Sequence, residues 1–399
     1  MSRTADNKIL VIKVCGNEWQ SANRDKRELG ICRDLGMNTL VLAKGKQNDK
    51  LHVDEVSGFP VRRMSTRPLG IKIPESLNRV VSLFIWAKAL KSLHGDIISG
   101  HDLIGLTISW MSTWLIQKSR KPLLVYDSHE FEIERSGNRG KAAKWFVKVM
   151  EGFLMRRCAL SIMVNDSIAD EVQKIHKLKE RPLVVRNIPP RWNIDEAECK
   201  KVKAKICAEL HVPEDTFMIM YHGGILKNRG VEAVIEQVKR NRNITGFILG
   251  NGDEKYIQSL KALTIEKGVE DRVLFHPAVT VEELWKYVGA ADVGMVTVRN
   301  SSVSYYYMLP NKFFENIQSM TPVIGSDFPE IRRIVKKYNI GLLCDPDDMD
   351  TMAECVERMR TDKQLYASMK YNLIQVKEEL CWENEKEILR QAYQKLADE

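Results

Sequence analysis

Short apolar runs alternate with amphipathic stretches along the whole chain. The runs at 7–14, 122–127 and 216–222 are rich in Val, Ile, Leu and Met, and they have the length of buried strands. The stretches between such runs carry apolar residues three and four positions apart, which is typical of helices. This alternation predicts an α/β fold in which parallel sheets are covered by helices on both faces.

Two predicted helices of the first half have an apolar side at this spacing. For the helix predicted over 75–93, the apolar side consists of Val80, Leu83, Phe84 and Leu90. For the basic helix predicted over 139–157, it consists of Trp145, Phe146, Val149, Met150, Phe153 and Leu154. We expect the apolar side of the second helix to lie in the core of its domain. The alternative is a helix at a membrane surface, since basic and aromatic residues at this spacing also suit that place.

The length of 399 residues predicts two domains. The sequence Asn-Ile-Pro-Pro at 187–190 is typical of a linker, because proline interrupts regular structure. We therefore expect a first domain over 1–188 and a second over 189–381. The segment 382–399 has the pattern of an amphipathic helix.

Composition indicates a cytoplasmic protein. The hydrophobic fraction of 44% is sufficient for packed cores, and the longest apolar run is far too short to span a membrane. The N-terminal residues lack a signal-peptide pattern. The eight cysteines are scattered without a C-x-x-C motif, which favours reduced thiols over disulfides or a zinc site.

The net charge of +8 is unevenly distributed. Lys and Arg outnumber Asp and Glu by 32 to 20 in residues 1–188, whereas the ratio is 29 to 33 in residues 189–399. This difference indicates that the first domain meets an anionic surface or an anionic acceptor. The alternative is a basic surface without a partner.

Polar residues follow the predicted strands of the first domain. Gly16 comes after the first strand, His101 and Asp102 end a second, and His129 follows a third. Open α/β sheets bind ligands at the carboxyl ends of their strands, so we expect both histidines at one edge. No G-x-G-x-x-G follows the first strand, which gives a nicotinamide cofactor little support.

The second domain contains three features that suit a phosphate group. The first is the turn at Gly223 and Gly224, where backbone amides can approach an oxygen closely. The second is the pair of cations Lys227 and Arg229. The third is a helix N-terminus that we expect to begin at Pro310 and to present Asn311 and Lys312, because unpaired amides there attract anions.

The segment 310–327, P-N-K-F-F-E-x6-P-V-I-x-S-D, resembles the donor site of glycosyltransferase family 4. These are retaining enzymes of the GT-B fold. The resemblance implies two Rossmann-like, doubly wound parallel-sheet domains that face each other across a cleft. It also implies that the helix over 382–399 crosses back to the first domain. Glu315 matches the residue that holds the ribose hydroxyls of a nucleoside diphosphate sugar.

Other segments match the same family in the same order. Gly250 and Asn251 fall in its G-x-G turn near the nucleotide, and His276 to Val279 match the stretch that meets the base. His129, in D-S-H-E, matches the histidine that reaches the transferred sugar. Arg229 stands at the position of a diphosphate-binding lysine.

Two positions depart from the family pattern. Gly224 stands where the family has an arginine on the diphosphate, and Lys227 is a candidate to replace it. Tyr307, eight positions before Glu315, stands where the family usually has a first glutamate. The sugar and the activity are therefore less well specified than the fold.

The resemblance implies retaining, metal-independent transfer from a nucleoside diphosphate sugar, without a cofactor. We expect the acceptor to be a lipid-linked saccharide or surface-polysaccharide precursor, with possible contact between the protein and the anionic inner face of a membrane. The alternatives are a catalytically silent nucleotide-sugar-binding scaffold and another GT-B enzyme such as a sugar-nucleotide epimerase. No RNP, helix-turn-helix or zinc motif supports nucleic-acid binding, and we assign no metal to Asp345-x-Asp347.

The candidate residues fall into three groups. The catalytic candidates are His129, Arg229 and Lys227. The donor-binding candidates are Gly16, Gly223, Gly224, Gly250, Asn251, Val279, Asn311, Lys312 and Glu315. The acceptor-side candidates are His101 and Asp102.

Overall fold

The computed structural model describes residues 8–19, 23–45, 53–65, 67, 73–114, 121–135 and 140–398. The chain divides into two compact units. The first unit comprises 1–186 together with 385–399, and the second comprises 187–384.

Over its described residues, the first unit is built on an eight-stranded sheet. Its strands are β1 (Leu10–Cys15), β2 (Asn38–Lys44), β3 (Val53–Val56), β4 (Phe59–Met64), β5 (Ile97–His101), β6 (Leu123–Asp127), β7 (Leu160–Met163) and β8 (Leu183–Val184). The order is β3-β4-β2-β1-β5-β6-β7-β8, and only β3 runs antiparallel to its neighbour. The chain moves outward from β1 to β2 and β4, and then returns to β5 on the other side of β1. The sheet therefore reverses direction between β1 and β5, where such folds bind ligands.

Among the described residues of the first unit, five α-helices precede the linker. They are α1 (Asn23–Asp34), α2 (Glu75–Lys91), α3 (Asp102–Ser112), α4 (Lys141–Met155) and α5 (Asp166–His176). One core cluster packs Trp86 and Leu90 of α2 and Ile108 of α3 against Ile12 and Ile98 of the sheet. The apolar runs of the strands and the apolar sides of these helices thus supply one common core.

The prediction that the apolar side of α4 lies in the core is wrong for its first turns. Trp145 and Phe146 are 66% and 58% exposed, whereas Leu154 in the last turn is fully buried. On α2, Val80 and Phe84 are likewise exposed. Apolar spacing identifies an amphipathic helix, but it does not tell what covers each part of the apolar side.

The second unit is built on a six-stranded, fully parallel sheet. Its strands are β9 (Phe217–His222), β10 (Ile244–Leu249), β11 (Val273–His276), β12 (Val293–Val296), β13 (Val323–Ser326) and β14 (Gly341–Cys344). The order is β11-β10-β9-β12-β13-β14, so this sheet reverses direction between β9 and β12.

Nine helices accompany this sheet in the second unit, whose residues the structure describes throughout. They are α6 (Glu196–Glu209), α7 (Val231–Arg240), α8 (Glu254–Lys267), α9 (Val281–Ala290), α10 (Val303–Tyr306), α11 (Asn311–Gln318), α12 (Pro329–Tyr338), α13 (Met349–Thr361) and α14 (Lys363–Glu379). Phe313, Phe314 and Ile317 are fully buried and fix α11 against the sheet. This packing determines which residues α11 presents at its N-terminus.

A further helix, α15 (Trp382–Asp398), lies mostly in the first unit. Glu385 accepts a hydrogen bond from the Arg186 guanidinium at 3.0 Å, and Lys386 pairs with Asp34 at 2.7 Å. The buried Tyr393 donates its hydroxyl to Glu28 of α1. The first unit is thus built from two separate parts of the chain. In the described ranges, every helix is too short or too polar to cross a membrane.

Candidate active site

Two glycine turns meet above the sheet of the second unit. Gly223 follows β9 with φ +112°, and Gly250 follows β10 with φ +154°. A Cβ on Gly250 would lie 1.9 Å from the carbonyl oxygen of Gly223, so a larger residue cannot occupy this position. Gly250 also donates its amide to the carbonyl of His276 at 2.9 Å. The turns after β9, β10 and β11 are therefore held together at one edge of the sheet.

Asn251 fastens the next loop to these turns. Its side-chain oxygen accepts a hydrogen bond from the amide of Ala278 at 3.0 Å, which places Val279 beside the G-x-G turn. Its carbonyl accepts a second bond from the amide of Ile225 at 2.9 Å. In this structure Asn251 thus orients the loop that carries Val279.

The N-terminus of α11 lies at the same edge of the sheet. The helix begins at Asn311, and Pro310 precedes it in an extended conformation, with φ −75° and ψ 148°. The expectation that Pro310 is the first helical residue is therefore wrong by one position. Its fixed φ suits the residue before the helix as well, because proline is compatible with extended backbone. Asn311 is exposed and accepts a hydrogen bond from the side chain of Asn187 at 3.2 Å.

Lys312 is buried, and no carboxylate of the described residues forms an ion pair with it. Its Nζ lies 3.7 Å from the centre of the Tyr221 ring and has no hydrogen-bond partner within the described residues. Burial is the main cause that lowers the pKa of Lys312 well below its usual value. The charge of Arg229 lowers this pKa further, while Glu315 opposes the shift. An anion at Lys312 would stabilise the ammonium form.

Arg229 is the second cation of this site. It is half-buried, and its Nε has no hydrogen-bond partner in the part of the chain that the structure describes. Its guanidinium carbon lies 5.5 Å from the centre of the Tyr305 ring. Lys227, in the same loop, is exposed. Lys312 and Arg229 are thus cations that lie beside aromatic rings, and among the described residues each has a buried nitrogen without a hydrogen-bond partner.

Gly224 connects the glycine turn to Lys312. Its carbonyl accepts a hydrogen bond from the hydroxyl of Tyr221 at 2.6 Å, and the ring of Tyr221 contacts the ammonium of Lys312. Gly224 is itself exposed, and a Cβ there would meet only Leu226, at an ordinary distance of 3.7 Å. Steric exclusion therefore does not explain the glycine at position 224.

Glu315 lies one turn after Lys312 on α11. Its Oε2 lies 3.0 Å from Nε2 of His222, the last residue of β9. His222 is buried, whereas the side chain of Glu315 is partly exposed, so its second oxygen is available to a ligand. His222 was not identified from the sequence, although a polar residue at a strand end was the signal that identified His101 and His129.

The first unit brings three of its predicted site residues together. The rings of His101, at the end of β5, and His129, after β6, lie 4.0 Å apart between their centres. Asp102 accepts the backbone amide of His129 at 3.0 Å. Gly16 follows β1 at the neighbouring strand end, and a Cβ there would contact Ile104 of α3 at 3.5 Å.

The two histidines differ in their surroundings. Burial opposes protonation of His101, but its hydrogen bonds with Asp102 and Asp25 prevail and raise its pKa to about 10. His101 is therefore an imidazolium at neutral pH. His129 is oriented by Asp127, whose Oδ2 lies 3.0 Å from its Nε2, and its side chain is 23% exposed. Of the two, His129 is better placed to contact a ligand.

A buried lysine lies under this pair and was not identified from the sequence. Lys13, on β1, contacts Asp25 at 3.0 Å and Asp127 at 3.2 Å, and it also pairs with Glu28. Arg24 donates a further bond to Asp127 at 2.8 Å. Burial raises the pKa of Asp25, but the charge of Lys13, with contributions from His101 and His129, lowers this pKa well below its usual range. The same lysine thus fixes the carboxylates that orient His101 and His129.

These carboxylates also satisfy the spacing of a metal site. Ligand atoms of Asp25, Asp127 and His129 lie within 4.8 Å of one another. The ammonium of Lys13 already contacts both carboxylates, and Arg24 pairs with Asp127, so their charge is balanced within the protein. The absence of a metal ion from the reaction remains a prediction.

Comparisons with known proteins find similarity to glycosyltransferases in sequence and in fold. Residues 202–376 match the family model described as glycosyl transferases group 1. An uncharacterized glycosyltransferase of Methanocaldococcus jannaschii is 26% identical over 275 residues, which cover 67% of this chain and 66% of the relative. LpsD of Rhizobium meliloti, a lipopolysaccharide core biosynthesis glycosyltransferase, is 28% identical over 158 residues, covering 40% of this chain and 43% of LpsD. The chain thus spans less than two thirds of the length of these curated relatives.

Solved structures share the fold over nearly the whole chain. HepE of Anabaena, in complex with UDP, superimposes with a TM-score of 0.72 at 15% identity, covering 98% of this chain and 100% of HepE. The two parallel-sheet units have the GT-B fold found in solved glycosyltransferases.

Proposed function

We propose that this chain is a retaining, family-4 glycosyltransferase. The match of residues 202–376 to the model for group 1 glycosyl transferases and the GT-B fold support this proposal. It transfers a sugar from a nucleoside diphosphate sugar to an acceptor hydroxyl. One observation carries the proposal: Lys312, at the start of α11, and Arg229, whose charge acts on Lys312, each have a buried nitrogen without a hydrogen-bond partner among the described residues. Glu315 follows one turn after Lys312, and its side chain is partly exposed.

A diphosphate is the ligand that suits the two cations. When the bond between the sugar C1 and the phosphate oxygen breaks, its electron pair goes to the leaving diphosphate. Fixed cations in a partly buried site stabilise that charge without reorganising. The N-terminus of α11 adds a partial positive charge at the same point. Lys312, Arg229 and this helix end would therefore stabilise the leaving group without a metal, and exposed Lys227 is a further candidate.

Glu315 is the proposed ligand of the ribose. A carboxylate can accept a hydrogen bond from each of two neighbouring hydroxyl groups. His222 holds one oxygen of Glu315 at 3.0 Å, so the carboxylate is oriented before the donor binds. The glycine turns at Gly223 and Gly250, and the loop with Val279, lie at the same edge and are proposed to contact the rest of the nucleotide. The complex of HepE with UDP supports a nucleotide ligand for this fold.

The first unit is the proposed acceptor side. His129 is the residue proposed to reach the transferred sugar, while His101 and Asp102 position it. The excess of basic residues in 1–188 and the similarity to LpsD support a lipid-linked saccharide as the acceptor. We further propose that the protein acts in the cytoplasm at the inner face of a membrane.

A nucleotide-sugar-binding scaffold without turnover is the second candidate. Two positions favour it: Gly224 stands where the family has arginine, and Tyr307 stands where it usually has glutamate. A scaffold would bind the donor as the enzyme does. Turnover with an acceptor, and not donor binding, therefore separates the two candidates.

Nucleotide binding will test the donor site directly. We expect one of UDP, GDP or ADP, or its sugar conjugate, to raise the melting temperature of the wild-type protein, because a ligand at 100 times its Kd stabilises the native state by about 2.7 kcal/mol. The Glu315→Ala variant should lose most of this shift, since the ribose hydroxyls lose their acceptor. Differential scanning fluorimetry measures both results.

The matched control is Glu266→Ala, which removes an exposed glutamate from α8 of the same unit. This variant should respond to the nucleotide like the wild type. A wild-type protein that responds to none of the nucleotides would overturn the proposed donor site. An equal response in wild type and Glu315→Ala would remove Glu315 from it.

Replacing His129 should separate transfer from donor binding. We expect His129→Ala to lower kcat by about 100-fold, because a positioned side chain in contact with the reacting groups contributes an effect of this order. The Kd of the nucleotide should stay within about twofold of wild type, because His129 lies outside the second unit, where the proposed nucleotide site lies. Steady-state transfer and nucleotide titration test the pair of results. Unchanged kcat would show that His129 does not contact the sugar.

A further inference from the structure

Helix α4 exposes an apolar stripe that the first unit does not use for its core. Trp145, Phe146 and Val149 are 66%, 58% and 50% exposed, and they lie on one side of the helix. The opposite side of α4 packs against the rest of the unit, because Glu151 and Leu154 are buried. The helix therefore has its ordinary packing and, in addition, a second apolar side that faces solvent.

This stripe continues as a row of aromatic rings across α3 to α2. Phe153 of α4 contacts Trp110 edge-on at 5.1 Å, and Trp110 contacts Trp114 at 4.7 Å. Trp114 in turn lies 6.4 Å from Phe84 of α2. Trp114 and Phe84 are both about half exposed. We call this surface the aromatic face; it consists of Phe84, Trp110, Trp114, Trp145, Phe146 and Phe153.

Basic side chains border the aromatic face. Lys141 and Lys148 lie four positions before and three positions after Trp145, so they flank it on α4. Lys88 lies one turn after Phe84, and the guanidinium of Arg157 lies 3.5 Å from the centre of the Phe153 ring. Within α2 and α4, the one exposed carboxylate is Glu75 in the first turn of α2. The border is therefore strongly positive.

We propose that the aromatic face docks on the surface of an anionic lipid bilayer. A bilayer offers both chemistries at once: hydrocarbon and interface for the Trp and Phe rings, and anionic headgroups for the lysines. A second copy of this chain fits less well, because a twofold interface would place the same cations against one another. The inference rests on the proposed function in one respect: docking would bring the first unit, which is the proposed acceptor side, to the surface where a lipid-linked acceptor lies.

Vesicle binding by the whole protein will test this inference. The probes are vesicles of phosphatidylcholine with phosphatidylglycerol and vesicles of phosphatidylcholine alone. The aromatic variant is Trp145→Ser with Phe146→Ser, and the charge variant is Lys141→Glu with Lys148→Glu. The matched control is Ile265→Ser with Tyr371→Ser, which removes two apolar residues of the second unit that are 66% and 65% exposed.

We expect the wild type and the control to float with the anionic vesicles and to bind neutral vesicles at least tenfold more weakly. The aromatic variant should lose tenfold or more in its partition onto anionic vesicles. The charge variant should lose as much at low salt, and the wild type should weaken as salt increases, because headgroup attraction is screened. Equal binding by the wild type and the aromatic variant, or no binding by the wild type, would overturn the proposal.

Two parallel measurements distinguish lipid docking from self-association and from a defect in the donor site. Sedimentation without lipid reports the mass: an oligomer that the aromatic variant converts to a monomer would assign the face to a second copy and overturn the proposal. Nucleotide-induced stabilisation reports the donor site and should be the same in all these variants. An aromatic variant that loses vesicle binding but keeps the nucleotide response would show that the loss comes from the aromatic face alone. A wild-type protein that binds vesicles but responds to no nucleotide would contradict the proposed transferase and leave the docking proposal intact.

Discussion

A Lys312→Met variant should be more stable than the wild-type protein and should bind the nucleotide diphosphate at least 100-fold more weakly. The buried ammonium of Lys312 has no hydrogen-bond partner within the described residues, so the folded protein bears its desolvation cost. Methionine fills a similar volume without that cost, and such replacements gain about 1–2 kcal/mol in the free energy of unfolding. Urea denaturation and nucleotide titration measure the two opposite effects.

The gain in stability should depend on pH in a defined way. Because the pKa of Lys312 is lowered in the folded state, the unfolded chain binds more protons than the folded one between that pKa and about 10.4. Wild-type stability therefore rises with pH over this window, relative to the variant. The advantage of Lys312→Met should therefore be larger at neutral pH than at pH 9 and should shrink further as the pH approaches 10.

Lys370→Met is the matched control for this result. Lys370 is also largely buried, and its pKa is also lowered by burial, but its Nζ donates to the carbonyl of Met320 at 2.6 Å. Its replacement removes that hydrogen bond, so we expect a loss of about 1 kcal/mol, with nucleotide binding unchanged. A loss of stability in Lys312→Met similar to that in Lys370→Met would contradict the interpretation of Lys312 as an unsatisfied cation kept for a ligand.

Lys13→Met should give the largest loss of stability among these substitutions. It would leave Asp25, Glu28 and Asp127 buried around a missing ammonium, and removing one partner of a buried charge group costs about 3–5 kcal/mol. Chemical denaturation followed by circular dichroism measures this loss. Lys44→Met, which changes an exposed lysine at the end of β2, should alter stability by less than about 0.5 kcal/mol.

Acid should partly rescue the Lys13→Met variant. Without the ammonium, the neighbouring carboxylates repel one another, so at least one of them should have a pKa above its unfolded value. The folded variant then binds more protons than the unfolded chain between those two pKa values, and its stability rises as the pH falls through that window. The wild type should show no such gain, because the pKa values of Asp25 and Asp127 are lowered in the folded state. A uniform loss at every pH would indicate a packing defect instead.

The sequence predicted the proposed donor site in more detail than the rest of the molecule. The segment around α11 combines a helix start, an apolar side and a polar side in a few residues, which predicts a helix N-terminus at Lys312. The role of Glu315 is implied by the family resemblance and not by spacing. The structure brings these two residues to one edge with the predicted glycine turns. His222 could not be predicted as a site residue because it ends an apolar run. Its contact with Glu315 depends on the position of α11 beside β9.

The charged core of the first unit could not be predicted from spacing. Lys13 stands in an apolar run, where a lysine ordinarily signals an exposed face, yet its partners are spread from Asp25 to Asp127. Long-range partners are set by the strand order, which local patterns do not contain. The error on α4 has a related cause. When apolar residues occupy more than one side of a helix, their spacing does not predict which side packs against the rest of the fold.

The contact between Tyr393 and Glu28 has a consequence for the synthesis of the protein. Glu28 belongs to the charged group around Lys13, but the helix that carries Tyr393 is translated only after the whole of residues 187–384. At about 5–20 residues per second, the ribosome needs about 10–40 s to make that segment. During this interval the first unit lacks the hydrogen bond from Tyr393 to Glu28, so its charged core reaches its final contacts only after residues 187–384 have been made.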